Sequence, residues 1–337
     1  MVTNANRKAG LPEISPFVEG QAESLRRVGW EVSLGIIDDR TSVGGIYRNA
    51  RKLKLELAHV RPRLVHAQYG SVTAAVAKII AGTLPLVVSF CGDDLLGTPN
   101  PGLVWRLRER LARGIGVFSA RAAAAIIVKS NNLFHSLPMS LQSRAIVIPN
   151  GVDTNFFRPM DRDECRAKLG WSPQLGVVLF NASKNDNQKS KNIDLARAAV
   201  DIVAKTVPHI SFQVLSHAKR EEVLLSMNAA DCLLVTSFHE GSPNIVKEAM
   251  SCNLPIVSVP CGDVPERLRM TSHGGIRPYI PGALAESIRD VLNAHSRSNG
   301  RKQVIAQGLA AESIANRLSE VYRNVCDRDI FRPACAE

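Results

Sequence analysis

Apolar residues in the first half of the chain fall into short runs separated by stretches with helical spacing. The runs Val2–Asn4, Glu31–Ile37, Leu64–Gln68, Leu84–Phe90, Ala125–Val128 and Ala145–Ile148 are predicted strands. Phe17–Val28 has Phe17, Ala22, Leu25 and Val28 on one helical face, and Gly29 stops it. Ile46–His59, Val72–Ala81 and Leu103–Ala120 are further predicted helices, the first and last of them basic. Short strands alternating with helices predict a parallel α/β sheet covered on both faces. The first strand is short for such a sheet, so either it is vestigial or the chain's start lies upstream of Met1.

The second half repeats the alternation. Strands are expected at Gly176–Asn181, Ser211–Leu215, Cys232–Thr236, Pro255–Val259 and Ile276–Ile280, and helices at Asn192–Thr206, Lys219–Ala229, Asn244–Ser251 and Leu284–Ala294. Pro149-Asn150-Gly151-Val152-Asp153, followed by Arg158-Pro159, is turn chemistry and reads as the interdomain linker. At ~150 residues per domain, 337 residues make two domains. The expected division is 1–152 and 153–312, with a terminal helix starting near Ile305, whose 313–330 part packs back onto the first domain. Two tandem Rossmann-like parallel-sheet domains place a cleft at the carboxyl ends of their strands, where such sheets bind ligands.

Charge narrows the partners. The chain carries 42 Lys and Arg against 31 Asp and Glu, and residues 1–150 hold 19 against 10, so the first half supplies most of the excess. A basic half suits phospholipid heads or an anionic substrate. Nucleic acid is disfavoured by the lack of a Lys/Arg run and by 5% aromatic residues. Seven scattered cysteines without a C-x-x-C pair argue against a disulfide framework or a zinc site and fit a reducing cytoplasm. The N-terminus lacks a signal-peptide apolar stretch, and the longest apolar run, Ala122–Val128, is far too short to span a bilayer. The sequence therefore reads as a soluble chain.

Candidate chemistry concentrates in 231–252, where a buried strand leads through a short turn into a helix expected to be capped by Ser242 with Pro243 at its first position. Glu240 and Glu248 flank that start. On one helix they would stand roughly 12 Å apart along the axis, but Glu240 precedes the turn and can fold back over the helix N-terminus. The free N–H groups there suit a phosphate. Two readings are open at this point: a nucleotide-sugar site, or a strand-to-helix joint with two solvated glutamates. Asn181–Asn192 is a second strand end with a polar loop, in which Lys191 stands at the helix opening and Lys184 and Lys189 read as solvated loop charge.

Glu240-Gly-Ser-Pro-Asn-Ile-Val-Lys-Glu248 resembles the two-glutamate motif of the retaining, nucleotide-sugar-dependent glycosyltransferases of family 4 (group 1), which have the GT-B architecture. The similarity extends to Phe17–Leu25 with Gly29-Trp-Glu-Val32, Asn150-Gly-Val-Asp153, Ala229-Ala-Asp231, Cys252–Ser258 and Gly262-Asp-Val-Pro-Glu266, in family order. The resemblance implies that Glu240 hydrogen-bonds the donor sugar, that Lys191 meets the diphosphate and that Glu248 takes the ribose hydroxyls. Gly241, Ser242, Pro243, Asn244, Ile245 and Ser183 would complete the donor site. It implies no cofactor and no obligatory metal. The adjacent pairs Asp38-Asp39 and Asp93-Asp94 are expected to point apart on a strand.

Two departures touch the acceptor side. Cys91, in Phe90-Cys-Gly-Asp-Asp94, stands where the family often has a histidine, and Leu11–Pro16 replaces the usual Gly-rich first loop. Cys91, Asp93, His66 and Pro16 are the acceptor-side candidates, although for His66 a satisfied structural role is the competing reading. On the helix at 103–120, Leu103, Leu107 and Leu111 form one stripe and Arg106, Arg110 and Arg113 another, which fits either a solvated face or docking on an anionic membrane leaflet. The expected activity is transfer of a sugar from a UDP- or GDP-type donor to a lipid-linked or oligosaccharide acceptor in surface-glycan synthesis. The expected location is the cytoplasm or the cytoplasmic membrane face. A catalytically idle nucleotide-sugar-binding scaffold, or an epimerase or phosphorylase on the same frame, are the alternatives.

Overall fold

The computed structural model describes residues 1–8, 11–97, 102–182 and 190–330, with 6–8, 11–13 and 328–330 as backbone alone. The chain divides into two compact units, Met1–Gly151 with Ala311–Glu337, and Val152–Ala310. Each is a parallel-sheet α/β unit, as the alternation predicts.

The first unit begins with β1 (Val2–Lys8), β2 (Leu11–Ile14), α1 (Pro16–Arg27), β3 (Gly35–Ile37), α2 (Val43–Val60) and β4 (Val65–Gln68). It continues with α3 (Ser71–Ala81), β5 (Leu86–Phe90), α4 (Asp93–Leu96), α5 (Leu103–Ala120), β6 (Ala125–Val128), α6 (Asn131–Ser136), α7 (Met139–Gln142) and β7 (Ala145–Val147). Its sheet has seven strands in the order β2-β1-β4-β5-β6-β7, with β3 also on β1. All pairs are parallel except β1 with β2, where Ala5 lies opposite Ile14. Alternate strand residues serve opposite faces. Val88, Phe90, Ile126 and Val128 pack with Leu53 and Ala77, on α2 and α3. Val87, Ala125 and Ile127 pack instead with Leu25 of α1 and with the chain's last helix.

Three expectations are corrected here. The first strand is longer than the sequence pattern showed, because β1 returns through the antiparallel β2. The strand expected from Glu31 starts at Gly35: Trp30 donates its indole N–H to Ser319 Oγ at 2.8 Å, and Trp30 and Val32 pack against the terminal helix. Asp93 and Asp94 open the short helix α4 and are not on a strand.

The second unit contains α8 (Arg162–Leu169), β8 (Gly176–Asn181), α9 (Ile193–Ala204), β9 (Ile210–Leu215), α10 (Arg220–Ala229), β10 (Cys232–Val235) and α11 (Asn244–Ser251). After these come β11 (Ile256–Ser258), α12 (Val264–Leu268), β12 (Gly274–Ile276), α13 (Pro281–Ala294) and α14 (Gly300–Ala306). The five strands run parallel in the order β12-β11-β10-β8-β9. The last strand thus ends at Ile276, where the sequence reading had it begin. Asp231 anchors the sheet from below: its carboxylate accepts from the buried Arg166 at 3.0 Å and from the Val177 N–H at 2.7 Å.

The terminal helix expected from Ile305 is two helices. Gly308, at φ 64°, ends α14, and the following residues leave the helix so that Leu309 can accept the Val152 N–H at 2.9 Å. α15 (Ala311–Ile330) then belongs to the first unit, packed on α1. Among the described residues no helix is long and apolar enough to cross a membrane.

Candidate functional site

At the carboxyl edge of the second unit's sheet, β8, β10 and β11 release three loops. Two of them are sewn together. Thr236, just past β10, shares its hydroxyl proton between the carbonyls of Lys191 and Asn192, at 2.8 and 2.9 Å, and the Phe238 N–H donates to Ser190 O at 3.1 Å. Asn192 enters α9 in the left-handed region, at φ 54°. These bonds fix the base of Lys191, whose ammonium donates to Glu240 Oε1 at 2.5 Å. The pair is 21% and 15% exposed, so neither charge is fully hydrated or fully desolvated.

The turn carrying Glu240 is held by the loop after β11. Gly262 has φ 55°, and a Cβ there would lie 2.8 Å from Gly241 O and 2.9 Å from Glu240 Cβ. Only glycine permits both this conformation and this approach. Cys261 beside it is buried, and burial, with the Glu240 charge, pushes its thiol up to about 12.

The helix behind this turn has its expected range, Asn244–Ser251, but not its expected cap. Pro243 occupies the N-cap position of α11, at φ −65° and ψ 123°, and proline has no side-chain group to cap the helix. Ser242 is not the cap because Lys247 claims it: the buried Lys247 ammonium lies 3.1 Å from Ser242 Oγ and donates to it. A buried cation thus stands beside Ser242, just before the start of α11, and adds to the positive potential there. Gly241, Ser242 and Pro243 are buried, whereas Asn244 and Ile245 are half-buried. Glu248 lies one turn into α11 and is half-buried. Burial raises its carboxyl to about 7, against the opposing pull of Lys247 and Arg220. Ser183, Lys184 and Lys189 lie outside the described residues.

The carboxyl edge of the first unit's sheet is built differently. Asp94 accepts the N–H groups of Gly70 at 2.6 Å, Cys91 at 2.9 Å and Gly92 at 2.8 Å, tying the end of β4 to the end of β5. Asp93, the residue singled out from sequence, is exposed, and its neighbour makes these three bonds. The Cys91 thiol is raised to about 12 by burial, so it is a neutral group. Lys129, just past β6, is 1% exposed, and its ammonium nitrogen has no hydrogen-bond partner among the described residues. Burial drives its pKa down, and the Cys91 and Asp94 charges oppose that shift. His66 is in the core, with Nδ1 against Tyr322 Oη at 2.5 Å and Nε2 against Ser89 Oγ at 2.7 Å. Both ring nitrogens are used, so His66 is a structural residue and lines no acceptor surface. Pro16 is the exposed first residue of α1, and Ser15 before it bonds Tyr69 Oη at 2.9 Å.

Comparison with known proteins places these edges in a family. The family model "Glycosyltransferase Family 4" matches residues 14–156, and "Glycosyl transferases group 1" matches 202–294. The chain belongs to glycosyltransferase family 4.

A D-inositol 3-phosphate glycosyltransferase of Segniliparus rotundus is 28% identical over 78% of the chain and 66% of its own length. TuaC of Bacillus subtilis, named for teichuronic acid biosynthesis, is 24% identical over 67% and 60%. The chain therefore spans about three fifths to two thirds of these relatives. Among solved structures, sucrose-phosphate synthase from Thermosynechococcus elongatus superposes with a TM-score of 0.77 at 16% identity, covering 97% of this chain and 99% of that one. HepE from Anabaena, solved with UDP-glucose, gives 0.72 at 17%, covering 96% and 100%. The family 4 chain shares their GT-B fold. Within it, Lys191, Glu240, Gly241 and Ser242 are brought together around the start of α11, with Glu248 in the same helix. Sequence reasoning assigned no role to Lys247 or Lys129. A lysine at an apolar strand end or inside a helix gives no sign, in one sequence, that its ammonium is buried.

Proposed function

We propose that this chain transfers a sugar, with retention, from a UDP- or GDP-type donor to a lipid-linked or oligosaccharide acceptor. The carrying observation is the Lys191–Glu240 pair at the start of α11, with Lys247 buried beside Ser242. In this reading the donor diphosphate competes for Lys191 and takes the N–H groups at the start of α11. Glu240, released from the ammonium, accepts hydroxyl protons of the transferred sugar, and an ionised Glu248 accepts those of the ribose. As the glycosidic bond lengthens, negative charge grows on the leaving diphosphate and positive charge on the sugar. Lys191 and the helix start meet the first, and Glu240 faces the second. Such fixed charges stabilise a transition state without reorganising at the moment of reaction. No cofactor or metal enters this proposal, and chelator should leave turnover unchanged.

The acceptor is assigned to the edge at Cys91 and Asp94, where the neutral thiol offers no proton carrier. That thiol favours a second reading, an idle nucleotide-sugar binder. Turnover of a nucleotide-sugar panel, with Glu240→Gln beside the wild-type chain, separates the two. Release of nucleoside diphosphate by wild type alone supports transfer. Donor binding with no turnover under any acceptor supports the binder, and equal turnover by both proteins removes Glu240 from the site. Release of sugar 1-phosphate or an epimer would identify a phosphorylase or epimerase.

A further inference from the structure

The transfer chemistry leaves α5 unused. Of its 18 residues only Gly116, Ser119 and Ala120 are buried. Leu103, Leu107, Leu111, Ile115 and Phe118 are exposed by 73%, 52%, 67%, 38% and 59%. At 3.6 residues per turn these five span an arc of about 120°, on the side away from the buried residues, with Arg108 and Arg110 flanking it. A helix on a soluble surface turns its apolar stripe inward. α5 does the reverse.

The same arc lines a groove of about 720 Å³ against α3, walled by Ala75, Ile79, Leu107, Leu111, Ile115 and Phe118. Two cations stand in it. Lys78 Nζ lies 4.6 Å from the centroid of the Phe118 ring, and Arg110 lines the opposite wall. Across α2, α3 and α5 the helices carry nine lysines and arginines against two glutamates.

We propose that the α3–α5 face is a docking surface for an anionic lipid bilayer. The leucine arc enters the acyl boundary, a lipid chain occupies the groove, and Lys78, Arg108 and Arg110 meet lipid phosphates. Charge complementarity selects this occupant. A second copy of the same face would set one basic surface against another, and a neutral apolar partner would leave the arginines unused. The proposal does not depend on the transferase reading, since docking on a vesicle needs neither donor nor acceptor.

Flotation of the full chain with phosphatidylcholine vesicles, with and without phosphatidylglycerol, tests it. Binding is expected only with phosphatidylglycerol and should weaken as salt shortens the screening length. Arg108→Ser with Arg110→Ser should lower partitioning by about 25-fold, at about fivefold per cation. Leu107→Ser with Leu111→Ser should lower it more than about tenfold. All four side chains are exposed, so both variants should keep wild-type circular dichroism. Brominated lipid should quench a tryptophan placed on the arc by Leu107→Trp in the Trp105→Phe background, since Trp30 packs on α15 and Trp171 belongs to the second unit. Equal binding to neutral vesicles, undiminished binding by the variants, or dimerisation lost in the leucine variant without vesicle binding would overturn the proposal.

Discussion

At the end of the second unit's sheet, a lysine and a carboxylate 49 residues apart in sequence meet at 2.5 Å, while at the end of the first unit's sheet the buried Lys129 ammonium has no hydrogen-bond partner among the described residues. The second unit's edge keeps this pair of charges together and partly hydrated. The first unit's edge pushes four groups toward their neutral forms: the Cys91 thiol, the Tyr69 hydroxyl and the Asp94 carboxyl are raised by burial, and Lys129 is lowered. Burial opposes charge of either sign. Fixed charge for a leaving diphosphate is thus available in the second unit, and the first unit offers neutral hydrogen-bonding groups and shape.

The largest effect expected from that contrast is at the ion pair. Glu240→Gln and Lys191→Met should each lower kcat/KM by about 100- to 1000-fold, as loss of one preorganised electrostatic group does. Steady-state release of nucleoside diphosphate measures it, and losses confined to KM would assign the pair to ground-state binding. Gly262→Ala adds a methyl within 3 Å of the Glu240 turn and strains a left-handed residue. It should weaken donor binding about tenfold while costing about 1–3 kcal/mol of stability, read by calorimetry and by the denaturation midpoint.

Glu248 sharpens the comparison through pH. Its folded carboxyl is near 7 against an ordinary 4.5, so the native state holds a proton that the unfolded state has lost between those values. Its contribution to stability is therefore present below about 4.5 and lost as pH rises through about 7. Donor binding runs the other way, because only the carboxylate accepts both ribose hydroxyls. Affinity should rise a few-fold between about pH 6 and 8, and Glu248→Gln should flatten both profiles.

Lys129 titrates with the opposite sign. Its folded pKa is lowered, so the unfolded state binds more protons and stability rises with pH. Lys129→Met should flatten that rise and stabilise the chain by about 1–3 kcal/mol near neutrality, seen in thermal melts across pH. The smallest change is expected from Cys91→Ala. With a thiol near 12 there is no proton carrier to lose, so kcat/KM should stay within about threefold, where removing a general acid or base costs at least about 100-fold.

Much of this was legible in the sequence, because period-two and period-3.6 patterning records which faces are buried. That patterning predicted both parallel sheets and most of their helices. It failed where a residue's apolar atoms serve a distant element. Trp30 spends its ring on Tyr322, 5.2 Å away between centroids, so the run that looks like a strand from Glu31 pairs only from Gly35. The break between α14 and α15 depends on Leu309 pairing with Val152, a contact no local window contains. At the site, the two-glutamate motif and Lys191 could be read as residues, but their pairing required the fold to bring two loops together. Ser242 looked like a helix cap because its type is right, but the Lys247 ammonium, buried for reasons local sequence does not encode, had already taken its hydroxyl.

The central claim is that the start of α11, with Lys191, is a seat for a nucleoside diphosphate. Titration calorimetry of UDP, GDP and ADP into the full wild-type chain and Lys191→Met tests it most directly. The account predicts that UDP or GDP binds wild type and that Lys191→Met weakens it by about tenfold or more, about 1.4 kcal/mol. Equal affinity for both proteins, or no binding of any nucleoside diphosphate to wild type, would contradict it.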